Sequence, residues 1–288
     1  MKTIGVITSG GDCQGMNQVL STLVSESLKR NLKLVFFTHG YAGILKNDTM
    51  SFEEVTQQLK TAKDQGGTIL KSSRCLDMKT IEGQTKAVEN LKKHQIDALI
   101  VVGGDGSAAG AKVLSEQYQI PSVVIPATID NDIPDVPFSL GYLSAIDRAQ
   151  TQISWISDTA TSHDRVFIVE VMGRHCGNLA TGISEVVHPL ATVLPETEIT
   201  PELLIQIDES YKKTNCPVVI ITELQPEKIK QLQTELSKRY EVRVNSLGHG
   251  QRGGPPTKEE KKLAAKLART AIKNLLKNKL GMVTHVSI

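Results

Sequence analysis

The stretch that decides the fold is LIVVGGDGS, residues 99–107. Its four apolar residues predict a buried strand, and the glycines and acid that follow predict a loop at the carboxyl end of that strand. Open α/β sheets bind their ligands at this end. Glycines let backbone N–H groups approach phosphate, and an acid can hold a metal ion. One glycine is enough for a tight turn, so the cluster indicates a nucleotide-phosphate and Mg²⁺ site.

A second stretch has the same organisation. The apolar run 120–125 leads into PATIDND, residues 126–132. Asp and Asn commonly fill turns and helix caps, which is the structural alternative for this loop. Three such residues in a row at a strand end, behind a phosphate loop, favour a functional site. A positioned carboxylate can take the proton of an attacking sugar hydroxyl, which accelerates such a step by roughly 10²–10⁴-fold. Together the two stretches predict phosphoryl transfer.

Composition excludes several classes of protein. The 288 residues carry a formal net charge of only +2 with no clustered basic face, which argues against nucleic acid as a partner. The four cysteines form no C-x-x-C pair, so a zinc or disulfide framework is not expected and a reducing compartment is. No signal peptide and no membrane-length apolar run is visible. We expect a soluble cytoplasmic protein without a membrane partner.

Strand and helix signals alternate along the whole chain. This alternation predicts an α/β fold of two doubly wound domains, with mainly parallel sheets covered by helices and the active site in the interdomain cleft. The boundaries are placed near Pro137 and at Pro255-Pro256. The glycines of residues 40–43 predict a loop there. Ser139 is the predicted N-cap of a long helix over residues 139–160.

Two further strand ends carry candidate ligand-binding loops. SGGD at residues 9–12 follows the first strand and precedes a helix, as a phosphate loop would, although many such turns are glycine-rich for conformational reasons alone. Met172-Gly173-Arg174 follows a later apolar strand. Its arginine is either surface charge or a clamp on a transferring phosphoryl group.

Two motifs in the second half of the chain suit a phosphorylated sugar. In LGHGQRGG, residues 247–254, Arg252 and His249 could bind a dianion, and the alternative is a flexible interdomain loop. Glu223 follows the strand at 218–221 and could accept hydrogen bonds from sugar hydroxyls.

With these motifs in place, the chain resembles the bacterial ATP-dependent 6-phosphofructokinases. The matching blocks are TSGGDCQGMN at residues 8–17, GYAG at 40–43, GGDGS at 103–107, PATIDND at 126–132, EVMGRHCG at 170–177, ITE at 221–223 and GHGQRGG at 248–254. PATIDND and GHGQRGG in this order are highly specific to that family, whereas GGDGS also occurs in kinases of NAD and of diacylglycerol.

The resemblance implies catalytic roles and a metal. Asp130 would be the base that removes the proton of the 1-hydroxyl of fructose 6-phosphate. Thr128 and Arg174 would steady the transferring phosphoryl group. Asp105 and Asp132 would hold Mg²⁺.

The resemblance also implies two binding regions. The nucleotide-binding domain would span residues 1–138 and 255–288, and the sugar-phosphate-binding domain residues 139–254. Residues expected to hold ATP are Gly11, Tyr41, Arg74, Cys75, Gly104, Asp105, Gly106 and Ser107. Those expected to hold the sugar phosphate are Thr128, Ile129, Asp130, Arg165, Met172, Gly173, Arg174, Glu223, Arg243, His249, Gly250, Gln251 and Arg252. In the family, residues matching Arg165 and Arg243 reach the 6-phosphate from a neighbouring subunit, so a homo-oligomer, dimer or tetramer, is expected.

Departures from the family pattern concern the donor and regulation. Pyrophosphate-using relatives have Asp and Lys where this chain has Gly106 and Ala127, so the small residues favour ATP. The effector pocket lacks its usual cations, which predicts a weak or absent response to ADP or phosphoenolpyruvate. Its matching positions are Ser21, Ser25, Ser157, Thr214 and Asn215. The chain also ends at Ile288, short of typical relatives by an expected strand and helix.

Two alternatives stay open at this point. One is a kinase for another sugar phosphate, such as tagatose 6-phosphate or sedoheptulose 7-phosphate. The other is a non-catalytic paralogue that regulates a full-length kinase. Retention of Asp105, Thr128, Asp130, Arg174 and Arg252 argues against the second, because a binding-only role needs no base.

Overall fold

The computed structural model describes residues 2–213 and 216–284. Its strands are β1 (Thr3–Thr8), β2 (Lys33–Phe37), β3 (Thr49–Met50), β4 (Ala98–Gly103), β5 (Ser122–Pro126), β6 (Arg165–Val171), β7 (Ala191–Val193), β8 (Val218–Thr222), β9 (Glu241–Ser246) and β10 (Gly281–Met282). Its α-helices are α1 (Met16–Lys29), α2 (Tyr41–Lys46), α3 (Phe52–Ala62), α4 (Ile81–Lys93), α5 (Asp105–Tyr118), α6 (Tyr142–Ser162), α7 (Asn178–Val187), α8 (Pro201–Tyr211), α9 (Pro226–Leu236) and α10 (Lys258–Leu276). None of the helices in the described part of the chain combines the length and the apolar character needed to cross a bilayer.

Residue contacts divide the chain into two compact units. The first contains the chain up to Thr128, residues 133–143 and the chain from Arg252 onward, and the second contains residues 129–132 and 144–251. These limits differ from the expected domain limits of 138 and 255. The segment 129–132 groups with the second unit, where the Asn178 side chain donates a hydrogen bond to the Asn131 carbonyl. Arg252 groups with the first, where it contacts Asp12.

Each unit is built on its own sheet. The first unit has six strands in the order β10-β5-β4-β1-β2-β3, parallel except for the β2–β3 pair. The second has four parallel strands in the order β7-β8-β6-β9. The expected α/β fold with mainly parallel sheets is therefore confirmed.

Burial explains why these segments form parallel strands. Every residue of β1, β4 and β5 is buried, as expected for strands covered by helices on both faces. In the first unit Leu99 and Val101 pack in a core that includes Leu91 of α4 and Leu114 of α5. This burial fixes the strand ends, and with them the loops that follow.

Two local predictions were wrong. Residues 41–43 do not lie in a loop, because helix α2 begins at Tyr41, and only Gly40, with a φ of 61°, lies in the turn before it. A side chain at Gly43 would run into the Thr38 backbone, so this glycine allows close packing and does not make a turn. Helix α6 begins at Tyr142, so Ser139 is not its N-cap. Its hydroxyl instead donates to the Thr128 carbonyl over 2.6 Å.

Candidate active site

The two glycine-rich loops of the first unit contact each other. They follow β1 and β4, which are neighbouring parallel strands, so both loops lie at the same edge of the sheet. A Cβ added at Gly103 would lie 2.6 Å from the Ser107 Oγ atom and against the Ser9 backbone carbonyl. One added at Gly10 would lie 3.2 Å from the same Oγ atom. Glycine is therefore required at Gly103 for the two loops to approach.

Tyr41 supports the loop that follows β4 through a hydrogen bond to Ser107. Its side chain is buried and its hydroxyl donates to the Ser107 carbonyl over 2.7 Å. Burial raises the pKa of the Tyr41 phenol well above its ordinary value, so the group stays a neutral donor. The ring also fills the space next to Gly110, where an added Cβ would come within 2.8 Å of it. The direct ATP contact expected for Tyr41 stays a prediction.

The loop that Tyr41 supports opens helix α5. Its backbone N–H groups and helix N-terminus suit an anion such as phosphate. Asp105 is the first residue of the helix and is exposed. An added Cβ at Gly106 meets no atom within 4 Å, whereas Ala127, at the end of the neighbouring β5, is buried. The two positions expected to select the donor thus have different surroundings, one open and one packed.

The segment that precedes α4, which contains Ser72 and Ser73, is hydrogen-bonded to the loop that follows β1. Ser72 donates to the Gly10 carbonyl over 2.7 Å, and Ser73 donates to the His39 carbonyl over 2.9 Å. These bonds hold the exposed Arg74 next to the loop that contains Gly10. Cys75 follows and is partly buried, and this burial raises the pKa of its thiol.

Arg252 also contacts the loop that follows β1, at Asp12. Its Nη1 atom lies 3.4 Å from the Asp12 carbonyl and 3.9 Å from the Asp12 carboxylate. An added Cβ at Gly11 would come within 2.6 Å of Arg252 Nη1. Gln14 donates to the Gly253 carbonyl over 2.9 Å and fixes the same segment. Sequence reasoning placed Arg252 in the sugar-phosphate domain, but its contacts belong to the first unit.

Asp130 lies in the second unit and is almost entirely buried, with 4% of its surface exposed. Ile129 before it is buried as well, whereas Asp132 is exposed. The loop backbone turns at Asn131, whose φ is 48°. Asn178, the first residue of α7, donates to the Asn131 carbonyl over 2.8 Å. No local pattern points to Asn178, because 47 residues separate it from the loop that it contacts.

Met172, Gly173 and Arg174 follow β6. Glu223 follows the adjacent β8, and its Oε1 atom accepts hydrogen bonds from the backbone N–H groups of Gly173 and Arg174, over 3.3 and 3.1 Å. Gln251 follows β9, on the other side of β6, and its Oε1 atom accepts from the Met172 N–H over 2.8 Å. The three predicted loops of the second sheet are thus joined at one edge. The Arg174 side chain is exposed there, as are His249 and Gly250.

Arg165 and Arg243 share a carboxylate that sequence reasoning missed. Arg165 Nε lies 3.0 Å from Glu241 Oε1, and Arg243 Nη2 lies 2.6 Å from the same atom. The close contact with the Arg165 guanidinium and the charges of both arginines lower the pKa of Glu241. Because the Glu241 side chain is 47% exposed, solvent screens these ion pairs, and a phosphate could compete for the arginines.

The predicted effector residues lie on two helices. Ser21 and Ser25 are on α1, and Ser25 donates to the Thr22 carbonyl within that helix. Ser157 on α6 is buried and donates to Cys216 Sγ over 3.3 Å. Thr214 and Asn215 lie outside the described residues.

The metal prediction is consistent with the donor types that are present. Over residues 2–213 and 216–284 there is no group of three or more metal-ligating side chains. Mg²⁺ in phosphoryl-transfer enzymes is usually held by one or two carboxylates together with substrate phosphates, not by an all-protein cage. Asp105 in the first unit and Asp132 in the second are each exposed, and their role as Mg²⁺ ligands stays a prediction.

Comparison with known sequences identifies the family. The family model described as Phosphofructokinase matches residues 3–275. The chain belongs to the phosphofructokinase family. It is 40% identical over 291 residues to the ATP-dependent 6-phosphofructokinase of Clostridioides difficile, covering 99% of this chain and 90% of that one. It is 38% identical over 297 residues to the enzyme of the same name from Shouchella clausii, with the same coverage.

Solved structures agree with the family assignment. Phosphofructokinase from Saccharomyces cerevisiae matches with a TM-score of 0.85 at 28% identity, over 96% of this chain. The match spans only 42% of that longer chain. A pyrophosphate-dependent phosphofructokinase from Nitrosospira multiformis matches with a TM-score of 0.79 at 19% identity, over 96% of this chain and 77% of the other, and shows the fold alone.

Proposed function

We propose that this member of the phosphofructokinase family is an ATP-dependent 6-phosphofructokinase, which transfers the γ-phosphoryl group of ATP to the 1-hydroxyl of fructose 6-phosphate. The observation that carries the proposal is the near full-length similarity to relatives with this activity in their names. The first unit would bind the nucleotide through its two glycine-rich loops. The second unit would supply the base and most of the groups that bind the sugar.

Asp130 is the base in this proposal. Its carboxylate takes the proton of the 1-hydroxyl as that oxygen forms a bond to the γ-phosphorus. The bond from the γ-phosphorus to the bridging oxygen breaks, and ADP leaves with the electron pair. The anchored loop supports this role, because the hydrogen bond from Asn178 to the Asn131 carbonyl limits the positions that the neighbouring Asp130 can take.

The remaining groups position and stabilise the phosphates. Arg174 and Thr128 would stabilise charge on the transferring group, which is the main demand of this chemistry. His249 and Arg252 would bind the 6-phosphate. Asp105 and Asp132 would hold Mg²⁺, which when bound neutralises negative charge on the phosphates.

Arg165 and Arg243 are proposed to bind the 6-phosphate in a neighbouring subunit of a homo-oligomer. Glu241 holds both guanidinium groups in one place, and its ion pairs are exposed enough to be exchanged for phosphate. We expect Arg243→Ala to raise KM for fructose 6-phosphate by about tenfold, equivalent to losing one charge-assisted contact, with little change in kcat.

Arg239→Ala is the matched control for this variant. Arg239 belongs to the same unit and pairs with Asp208 instead of Glu241. The KM of Arg239→Ala for fructose 6-phosphate should stay within about twofold of the wild-type value. Equal KM values for the two variants would rule out the shared site.

The proposal as a whole is tested by measuring formation of the sugar bisphosphate with purified protein, because this product forms with either phosphoryl donor. Fructose 6-phosphate, tagatose 6-phosphate and sedoheptulose 7-phosphate are compared as acceptors, and pyrophosphate is compared with ATP as donor. Fructose 6-phosphate with ATP should give the highest kcat/KM. Added ADP or phosphoenolpyruvate should change the rate little, because Ser21 and Ser25 carry no charge for a polyanion. No activity with any acceptor would favour the regulatory paralogue.

A further inference from the structure

Three consecutive backbone N–H groups after β6 are bound by side chains from the two flanking strands. Met172 N–H donates to Gln251 Oε1 over 2.8 Å. The N–H groups of Gly173 and Arg174 donate to Glu223 Oε1 over 3.3 and 3.1 Å. Strand β6 lies between β8 and β9 in the sheet, so the two acceptors approach the loop from opposite sides. We call Gln251 and Glu223 the backbone clamp.

The loop needs such support because its backbone conformation is unfavourable. Gly173 has a φ of 141° and Arg174 a φ of 53°. The left-handed region disfavours a residue with a Cβ, so Arg174 holds this conformation only where its surroundings impose it. Gly173 cannot be replaced freely either, because an added Cβ would lie 2.7 Å from the Cys176 carbonyl. Besides the hydrogen bond from the Cys176 N–H to the Gly173 carbonyl, over 2.9 Å, the loop is therefore held by side chains from outside it.

Gln251 is the better member of the clamp on which to test this idea. The residue is fully buried, so its side chain serves the protein interior, and the sugar-phosphate contact expected at Gln251 stays a prediction for its backbone alone. With the acceptor removed, the buried Met172 N–H would have no replacement from bulk water. Glu223 is partly exposed and is itself proposed to contact the sugar, so its substitution would mix two effects.

We infer that the backbone clamp fixes Arg174 in its left-handed conformation and thereby aims the guanidinium at the transferring phosphoryl group. Gln251 is then a positioning residue that acts on the chemical step through Arg174. This inference rests on the proposed function of Arg174. Whether these hydrogen bonds hold the backbone of residues 172–174 can be measured without reference to activity.

The experiment compares Gln251→Met, which removes the acceptor at similar volume, with Gln251→Glu, which keeps an acceptor oxygen. The control is Gln225→Met, because Gln225 belongs to the same unit but donates from its Nε2 atom to the Thr222 carbonyl, over 3.0 Å, instead of accepting from the Met172 N–H. Gln251→Met should lower kcat about tenfold and leave KM for fructose 6-phosphate within about threefold. Gln251→Glu should restore most of kcat, and Gln225→Met should leave it unchanged.

A double-mutant cycle with Arg174→Ala separates positioning from general damage. If Gln251 acts through Arg174, Gln251→Met should cost less than about twofold in kcat once Arg174 is absent. An equal loss in both backgrounds, or no loss in either, would overturn the inference.

Amide hydrogen exchange gives a second readout that needs no activity. Residues 171–176 should exchange faster in Gln251→Met, but not in Gln251→Glu or Gln225→Met. Unchanged exchange in Gln251→Met would overturn the clamp even if the enzyme were active. A wild-type protein without kinase activity would instead refute the proposed function, and exchange would still decide whether the clamp exists.

Discussion

The loops of the two units are held in place by opposite means. In the first unit, the loops after β1 and β4 approach because side chains are absent, most clearly at Gly103. In the second unit, the loop after β6 is held because polar side chains are present, namely Glu223 and Gln251. Close packing at glycine lets the first set of loops meet, with hydrogen bonds from Tyr41 and Ser72 in support, whereas the second depends mainly on side-chain hydrogen bonds. The two regions should therefore fail in different ways when they are substituted.

The largest effect on stability is expected from Gly103→Val. The new side chain would overlap Ser107 and the Ser9 backbone, which sit on the two loops and cannot both move away. Overpacking of this kind costs about 1–3 kcal/mol, and a backbone atom among the clashing groups places this variant at the upper end or beyond. Urea denaturation measures the loss in the free energy of unfolding. A loss below about 0.5 kcal/mol would show that the loops are not in contact.

Tyr41→Phe should have an intermediate effect. It leaves the shape of the loop intact but removes the hydroxyl that donates to the Ser107 carbonyl. Because Ser107 lies inside helix α5, its carbonyl keeps an intrahelical partner, and loss of the additional hydrogen bond costs about 0.5–1.5 kcal/mol. KM for ATP should rise as the loop loosens, with KM for the sugar phosphate unchanged. Unaltered stability together with unaltered KM for ATP would mean that Tyr41 does not support this loop.

Gly106→Asp should have the smallest effect on the fold. An added side chain meets no atom within 4 Å, so the free energy of unfolding should change by less than about 0.5 kcal/mol. The new carboxylate would lie next to Asp105 and repel a triphosphate, so KM for ATP should rise. Thermal unfolding and KM for ATP measured on one preparation separate the two effects. A large drop in stability would contradict the difference drawn between Gly103 and Gly106.

The difference between the loops of the two units also explains which features could be predicted from the sequence. Glycine clusters and apolar strands are local patterns, so the strands β1, β4 and β5 and their loops could be located from residue order alone. The hydrogen bond that supports the Arg174 backbone could not be predicted in this way, because Glu223 lies 49 residues away along the chain. Glu241 was also missed, since its pairing with Arg165 depends on the register of β6 against β9.

Two errors came from reading local signals that tertiary packing overrides. A loop is predicted at Gly43, although it is a helix residue packed against the Thr38 backbone. Ser139 has a typical N-cap side chain, but the Gly141 N–H at the start of α6 donates to Glu260 over 2.8 Å, from 119 residues away. The buried Glu260 carboxylate therefore takes the place expected for a local cap.

Turnover of Asp130→Asn is the most direct test of the account. The substitution keeps the size of the buried side chain but removes the base, so kcat should fall by roughly 10²–10⁴-fold while KM for both substrates changes little. Thermal unfolding of the variant controls for damage to the fold. A kcat within about twofold of the wild-type value, with the fold intact, would contradict the claim that Asp130 accepts the proton of the sugar hydroxyl.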